Sequence, residues 1–420
     1  MRKHALQIFR AALDAADPYA AVLRHLKFDG RTLLAGRQRY RMADFDRVQV
    51  IGAGKAGAAM ARAVEHILGR RIQGGVVNVP DGTPANTGIN PRHVDLNTAG
   101  HPIPDDRGQQ GALRILEIAR QAGPRDLLVC LISGGASALL PAPISGHSLA
   151  AKQSITQQLL RSGASIHEMN AVRKHLSAIK GGRLASAAFP ARVLGLILSD
   201  VIGDDLDVIG SGPTVGDPST VTQAESVLRK YGIRATPMEE TPKPGDARLA
   251  HVQNLIVGSN RLAMDAAASK AKELGYRTLV LSSSVDGETR EIARMHAAIV
   301  KEILSAGRPL RRPACLLSGG ETTVAVRGKG LGGRNQEFVL AAAMALEGLG
   351  PATIFSAGTD GLDGPTDAAG AVADEGTPLL DAREFLDNND SYHFFEKLHA
   401  LVKTGPTGTN VMDVRILLVP

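Results

Sequence analysis

The sequence predicts an α/β protein built as two α/β domains, a larger Rossmann-like N-terminal one and a smaller C-terminal one. Three observations predict it. Short runs rich in Val, Ile and Leu recur at 48–51, 75–79, 127–132, 193–198, 255–257, 278–281, 314–317 and 353–355. Helical patterns such as 57–68, 108–122 and 262–274 lie between most of them. That alternation means βαβ units and a largely parallel sheet covered on both faces. Finally, strand-end signals recur in order in both halves: Gly52-Ala53-Gly54, Asp81-Gly82-Thr83, Ser133-Gly134-Gly135 and Ser199-Asp200, then Gly258-Ser259, Asp286-Gly287-Glu288, Ser318-Gly319-Gly320 and Thr359-Asp360-Gly361. The order suggests two domains of related topology, although Gly and Ser end many strands and produce such a series by chance.

The stretch 234–250 carries three prolines and Gly245, so it reads as a linker. The domains are then 1–240 and 251–420. Aromatic residues make up only 3% of the chain, so its core must come from Ala, Val, Leu and Ile. Cys130 and Cys315 sit inside apolar runs and read as buried strand positions, not as a disulfide or metal ligands. That usage fits a reducing compartment. Neither a secretory signal nor a membrane-length apolar run is present, so the expectation is a cytoplasmic protein without a membrane partner. The net charge of +6 comes without a basic tail or an aromatic stripe, which argues against nucleic acid. It suits small anions, or is an incidental surface excess.

Gly52-Ala53-Gly54-Lys55-Ala56-Gly57 follows a strand and opens a helix, completing the dinucleotide fingerprint. A dehydrogenase would place an acid at the end of the next strand. Here that strand ends Asn78-Val79-Pro80, with Asp81 beyond it in a turn. Lys55 inside the loop suits phosphoryl transfer, or is a solvated lysine in a tight turn. Ser133, Gly134, Gly135 and Ser137 form a strand–turn–helix whose N–H groups and hydroxyls suit an anion, or a plain βα turn. Arg173, Lys174, Lys180 and Arg183 carry charge with no acid between them. Arg173 and Lys180 share a face if the segment is one helix, giving a polyphosphate clamp or a solvated basic face. His175 reads as a structural hydrogen-bonding residue.

Asp200 and Asp204 follow one strand, and Asp360 and Asp363 follow its counterpart. Such acids can meet Mg²⁺ or act as a base, or simply form Asx turns. No zinc spacing and no complete P-loop occur. Ser318, Gly319, Gly320 and Glu321 lead into glycines 328, 330, 332 and 333, and Arg334 then enters a helix. A basic glycine loop at a helix start can close on an anion.

Taken together, the blocks 50–56, 100–105, 131–139, 173–182, 210–214, 317–324, 332–337 and 358–371 resemble the class II glycerate kinases, the glycerate 2-kinases with a C-terminal MOFRL domain. The resemblance runs from about residue 5 to the C-terminus. It implies ATP- and Mg²⁺-dependent phosphorylation of D-glycerate at its 2-hydroxyl, and an active site in the cleft between the domains. It implies catalytic roles for Lys55 and Arg334, to which Asp360 is added as proton acceptor. Gly52, Gly54, Ser133, Gly134, Gly135, Ser137, Arg173, Lys180, Ser318, Gly319, Gly320 and Glu321 are the expected nucleotide contacts, and Asp200, Asp204 and Asp363 the expected metal ligands. Proteins of this family also carry the label hydroxypyruvate reductase, so an NAD(P)H-dependent reductase is the rival. The partners are small molecules, with a homo-oligomer left open.

Overall fold

The computed structural model describes residues 1–83 and 90–420. The chain forms two compact units, Pro18–Ser199 with Asp204–Val257, and Met1–Asp17 with Asp200–Gly203 and Gly258–Pro420.

The larger unit opens with a small antiparallel sheet of β1 (Leu26–Phe28), β2 (Thr32–Ala35) and β3 (Gln38–Arg41). Its main sheet comprises β4 (Arg47–Ala53), β5 (Ile72–Pro80), β6 (Asp95–Ala99), β7 (Asp126–Ile132), β8 (Arg192–Leu198) and β9 (Val252–Gly258). The strand order is β6-β5-β4-β7-β8-β9, and the pairs from β6 to β8 are parallel. Every residue of β7 is buried, as its unbroken apolar run requires of a central strand. This is the doubly wound order 3-2-1-4-5-6, which reverses between β4 and β7. Ligands of such sheets sit outside the strand C-termini at that reversal. The two turns there are Gly52–Lys55 and Ser133–Gly135.

The smaller unit departs from the largely parallel sheet expected of it. It comprises β10 (Arg277–Val285), β11 (Ala314–Gly320), β12 (Thr353–Gly358), β13 (Gly370–Asp374), β14 (Leu401–Val402) and β15 (Asp413–Val419), in the order β10-β11-β15-β12-β13-β14. Only β10 and β11 pair in parallel; the remaining pairs are antiparallel. The C-terminal strand β15 is inserted between β11 and β12 and is wholly buried. The recurring turn signals therefore do not reflect a shared topology. They mark strand ends, and they carry no information about the strands after 358.

The segment 234–250 is irregular, as its prolines require, but it does not separate the units. Glu239 pairs with Arg183 at 2.8 Å, Glu240 accepts from His175 at 3.1 Å, and Thr241 donates to Asp217 at 3.0 Å. The chain passes to the smaller unit after Val257. The first helix, Arg2–Ala16, belongs to the smaller unit too: Phe9 meets Phe355 at a centroid distance of 5.1 Å, and Thr409 donates to the Ala16 carbonyl at 2.6 Å. Cys130 and Cys315 are free and buried, and burial pushes both thiols up to about 12. Among the described residues, no helix is long and apolar enough to cross a membrane.

Candidate active site

In the larger unit the two glycine turns are tied together. Lys55 N–H donates to Gly134 O at 2.8 Å, Ser133 N–H to Ala53 O at 3.2 Å, and Ala56 N–H to Ser133 Oγ at 3.1 Å. The approach explains the glycines. A Cβ on Gly52 would stand 2.0 Å from Leu131 O, and one on Gly54 2.1 Å from Ser133 Oγ. Both also hold positive φ, which L side chains rarely adopt. The Lys55 side chain projects from this junction, exposed, with no hydrogen-bond or ion-pair partner among the described residues. His101 lies beside Gly135, where a Cβ would meet its Nε2 at 2.7 Å and Lys55 Cγ at 3.5 Å. Burial, then the Lys55 charge, lowers the His101 pKa and favours the neutral imidazole.

Beyond Gly135 lies a cavity of about 530 Å³, lined in part by Ser137, Lys152, Arg173 and Lys180. The expected clamp is only partly present. The helix Ile166–His175 stops at its C-cap, Leu176, so Arg173 and Lys180 do not share one helix. They still reach the same cavity, because the turn after the helix brings Lys180 Nζ to Ser137 O at 2.6 Å and Ser137 Oγ at 2.9 Å. Lys174 points elsewhere and pairs with Asp207 at 2.5 Å and Asp217 at 3.3 Å. His175 is fully buried, its Nδ1 2.7 Å from Ala171 O, as a structural residue should be. Lys152 was not singled out by sequence. A signal existed: it lies on the buried stripe Leu149, Lys152, Ile155, Leu159 of its helix, where an apolar residue is expected.

The smaller unit gathers a different set. Arg334, first residue of the helix Arg334–Leu346, donates Nε and Nη2 to the two oxygens of Asp413 at 2.7 and 3.0 Å. Its Nη1 lies 2.9 Å from Glu321. Burial opposes the Arg334 charge, but Asp413 and Glu321 outweigh it and raise the guanidinium pKa. Asp413 is completely buried and also accepts from Asn335 at 3.0 Å and from Arg415 at 3.2 Å. Neither Asp413 nor Arg415 was flagged by sequence. The pattern Asp413-Val414-Arg415 puts an acid and a base on one face of an otherwise apolar strand, which is the available clue. Ser318 bonds His296 Nε2 at 2.8 Å, and burial lowers that histidine to about 4. Gly319 is pressed against Asn260, where a Cβ would sit 1.7 Å from Oδ1.

Two expectations need correction here. Asp363 is fully buried and caps the Arg334–Leu346 helix: its Oδ1 accepts Asn335 N–H at 2.9 Å and its Oδ2 accepts Gln336 N–H at 2.8 Å. Both oxygens are therefore committed to the helix start and not to a metal. The first half of the glycine-rich loop before Arg334 spends its N–H groups on side chains of the same unit. Those of Arg327 and Gly328 go to Asn389 Oδ1, that of Lys329 to Asn388 Oδ1 and that of Leu331 to Asp390 Oδ1. Its glycines permit tight packing instead of mobility, since a Cβ on Gly328 would stand 2.1 Å from Asn388 O.

Of the remaining acids, Asp200 and Asp360 both act electrostatically on Glu321, whose pKa is raised by burial first, against the pull of Arg334. Asp204 groups with the larger unit and holds a left-handed backbone, φ 59°. Among the described residues, no group of three or more His, Cys, Asp or Glu could hold a metal ion.

Comparison with known proteins gives concordant results. Residues 4–241 match the family described as a domain of unknown function, DUF4147, and residues 314–413 match the MOFRL family. The chain is 42% identical to D-glycerate 2-kinase of Thermotoga maritima, over 100% of this chain and 98% of that one. It is 41% identical to an Agrobacterium vitis protein with a provisional hydroxypyruvate reductase name, over 98% of this chain and 93% of that one. The crystal structure of a Thermotoga maritima glycerate kinase superposes with a TM-score of 0.90 at 42% identity, covering 100% of this chain and 99% of that one.

Proposed function

The chain belongs to the glycerate kinase family that carries a MOFRL domain, and from that premise we propose that it phosphorylates D-glycerate at the 2-hydroxyl with ATP, giving 2-phosphoglycerate and ADP. The observation that carries the reading is the joined pair of glycine turns at the β4/β7 reversal, with Lys55 unpartnered among the described residues and beside a cavity that none of the described acids lines. Phosphoryl transfer needs positioning and neutralisation of charge more than covalent chemistry.

In this reading Gly52, Gly54, Ser133, Gly134, Gly135 and Ser137 form the nucleotide's backbone cradle, and Arg173 and Lys180 its cationic wall. Ser318, Gly319, Gly320 and Glu321 form the corresponding turn of the smaller unit. Lys55 and Arg334 neutralise charge on the transferring phosphoryl group and on the glycerate carboxylate. The 2-hydroxyl oxygen bonds to the γ-phosphorus as the bond to the β-phosphate oxygen breaks, and Asp360 accepts the hydroxyl proton. Asp200 would hold Mg²⁺ in this reading, with Asp204 as a further candidate. When bound, the ion neutralises phosphate charge.

The reductase reading rests on the glycine fingerprint and on the provisional name of the Agrobacterium vitis relative. Its ribose-binding acid would be Asp81, yet both oxygens of Asp81 pair with Arg107, at 2.7 and 2.6 Å. The test is a parallel assay. Turnover of D-glycerate with ATP and Mg²⁺ should exceed NADH oxidation with hydroxypyruvate by orders of magnitude, and the reverse ranking would refute the kinase.

A further inference from the structure

We propose that the cavity beside Gly135 holds the phosphate chain of the adenine nucleotide, with Lys152 as a phosphate ligand. This rests on the kinase reading and adds to it a residue and a placement. Lys152 is 7% exposed, and its Nζ has no hydrogen-bond partner among the described residues. Burying an ammonium without a partner is costly, and other lysines of this unit avoid it. Lys174 has two carboxylates, and Lys180 has both oxygens of Ser137.

The groups facing Lys152 make its position worse. Arg173 comes from the neighbouring helix Ile166–His175, Lys180 from the turn after it, Arg183 from the start of the next helix, and His101 from the segment after β6. None is an acid, and among the described residues no Asp or Glu lines the cavity. Arg183 is already engaged with Glu239; Arg173 has no hydrogen-bond or ion-pair partner among the described residues. An anion entering from solvent is what this geometry lacks. Burial first, then Arg173 and Arg183, lowers Lys152 to about 7, so an arriving anion would draw a proton onto it.

Size and wall chemistry identify the anion. A cavity of about 530 Å³ is far larger than a three-carbon hydroxy acid needs. Pro102, Ile103, Pro141 and Leu160 line it with apolar surface, which suits the flat face of a base. Gly135, at its margin, joins it to the turn that carries Lys55.

Calorimetric titration of the full-length protein with ADP, and separately with D-glycerate, tests this. Lys152→Met should weaken ADP about 10–100-fold, the range for losing a charge-assisted phosphate contact. It should leave D-glycerate binding unchanged and raise the melting temperature of the ligand-free protein. Wild-type protein at about pH 8 should take up protons on binding ADP, seen by comparing buffers of different ionisation enthalpy, and the variant should take up fewer. ADP affinity in the variant within about twofold of wild type, or a loss that falls on D-glycerate instead, would overturn the assignment. If Lys152→Met does not fold, the wild-type titration decides, and absence of proton uptake overturns it. Because the readout is binding, a wild-type protein that binds ADP this way but forms no phosphoglycerate would refute the activity while the site stands.

Discussion

The two candidate regions treat their cations in opposite ways. In the larger unit, Lys55, Lys152 and Arg173 have no anionic partner among the described residues. In the smaller unit, Arg334 and Arg415 converge on one buried carboxylate, Asp413, and Arg334 also meets Glu321. The contrast separates a binding surface from a positioning frame. Unpartnered cations can neutralise an incoming anion without breaking an internal bond. A cation held bidentately on a buried acid is fixed in direction before any ligand arrives. If this is right, removing a cation of the larger unit should damage function alone, while removing the shared carboxylate of the smaller unit should cost stability.

The largest effect should come from Asp413→Asn. It leaves the fully buried Arg415 without its counter-charge and frees one side of Arg334, so the unfolding free energy should fall by about 3–5 kcal/mol. Denaturant titration measures this, and a loss below about 1 kcal/mol would erase the contrast. Lys55→Met should do the converse, cutting turnover by about 10²–10³ with the melting temperature nearly unchanged. A variant with near-normal turnover would make Lys55 only a turn residue.

Arg334→Lys sharpens the comparison. An ammonium cannot reproduce the fork that spans both Asp413 oxygens and Glu321. Activity should fall nearly as far as in Arg334→Ala, by about 10²-fold, with a modest change in melting temperature. Activity that falls only in proportion to folded protein would make Arg334 purely structural.

A further test concerns pH. Lys152 sits at about 7 in the folded chain, against roughly 10.4 when exposed. Between those values the unfolded chain binds the extra proton, so this group makes stability rise with pH. Lys152→Met should flatten that rise, and an unchanged slope would place Lys152 in a wetter site.

How much of this the sequence disclosed depended on whether the signal was local. Glycine turns announce themselves, because close backbone approach admits no side chain; Gly52, Gly54 and the Ser133 turn were therefore legible, and so were the central strands. Lys152 and Asp413 were not, since a lysine on a helix and an acid opening a strand are ordinary until burial is known. The same limit hid β15. Its seven residues are not among the apolar runs counted above, and nothing in them states that the C-terminus returns to lie antiparallel between β11 and β12. The glycine-rich loop before Arg334 failed for a related reason: its partners, Asn388, Asn389 and Asp390, lie some sixty positions away, the Leu331–Asp390 bond spanning 59.

The most direct test of the account is phosphorus NMR of the product formed from D-glycerate, ATP and Mg²⁺ by the full-length protein. The account predicts 2-phosphoglycerate with stoichiometric ADP. A spectrum containing only the 3-phospho isomer, or ADP formed without any phosphoglycerate, would contradict it.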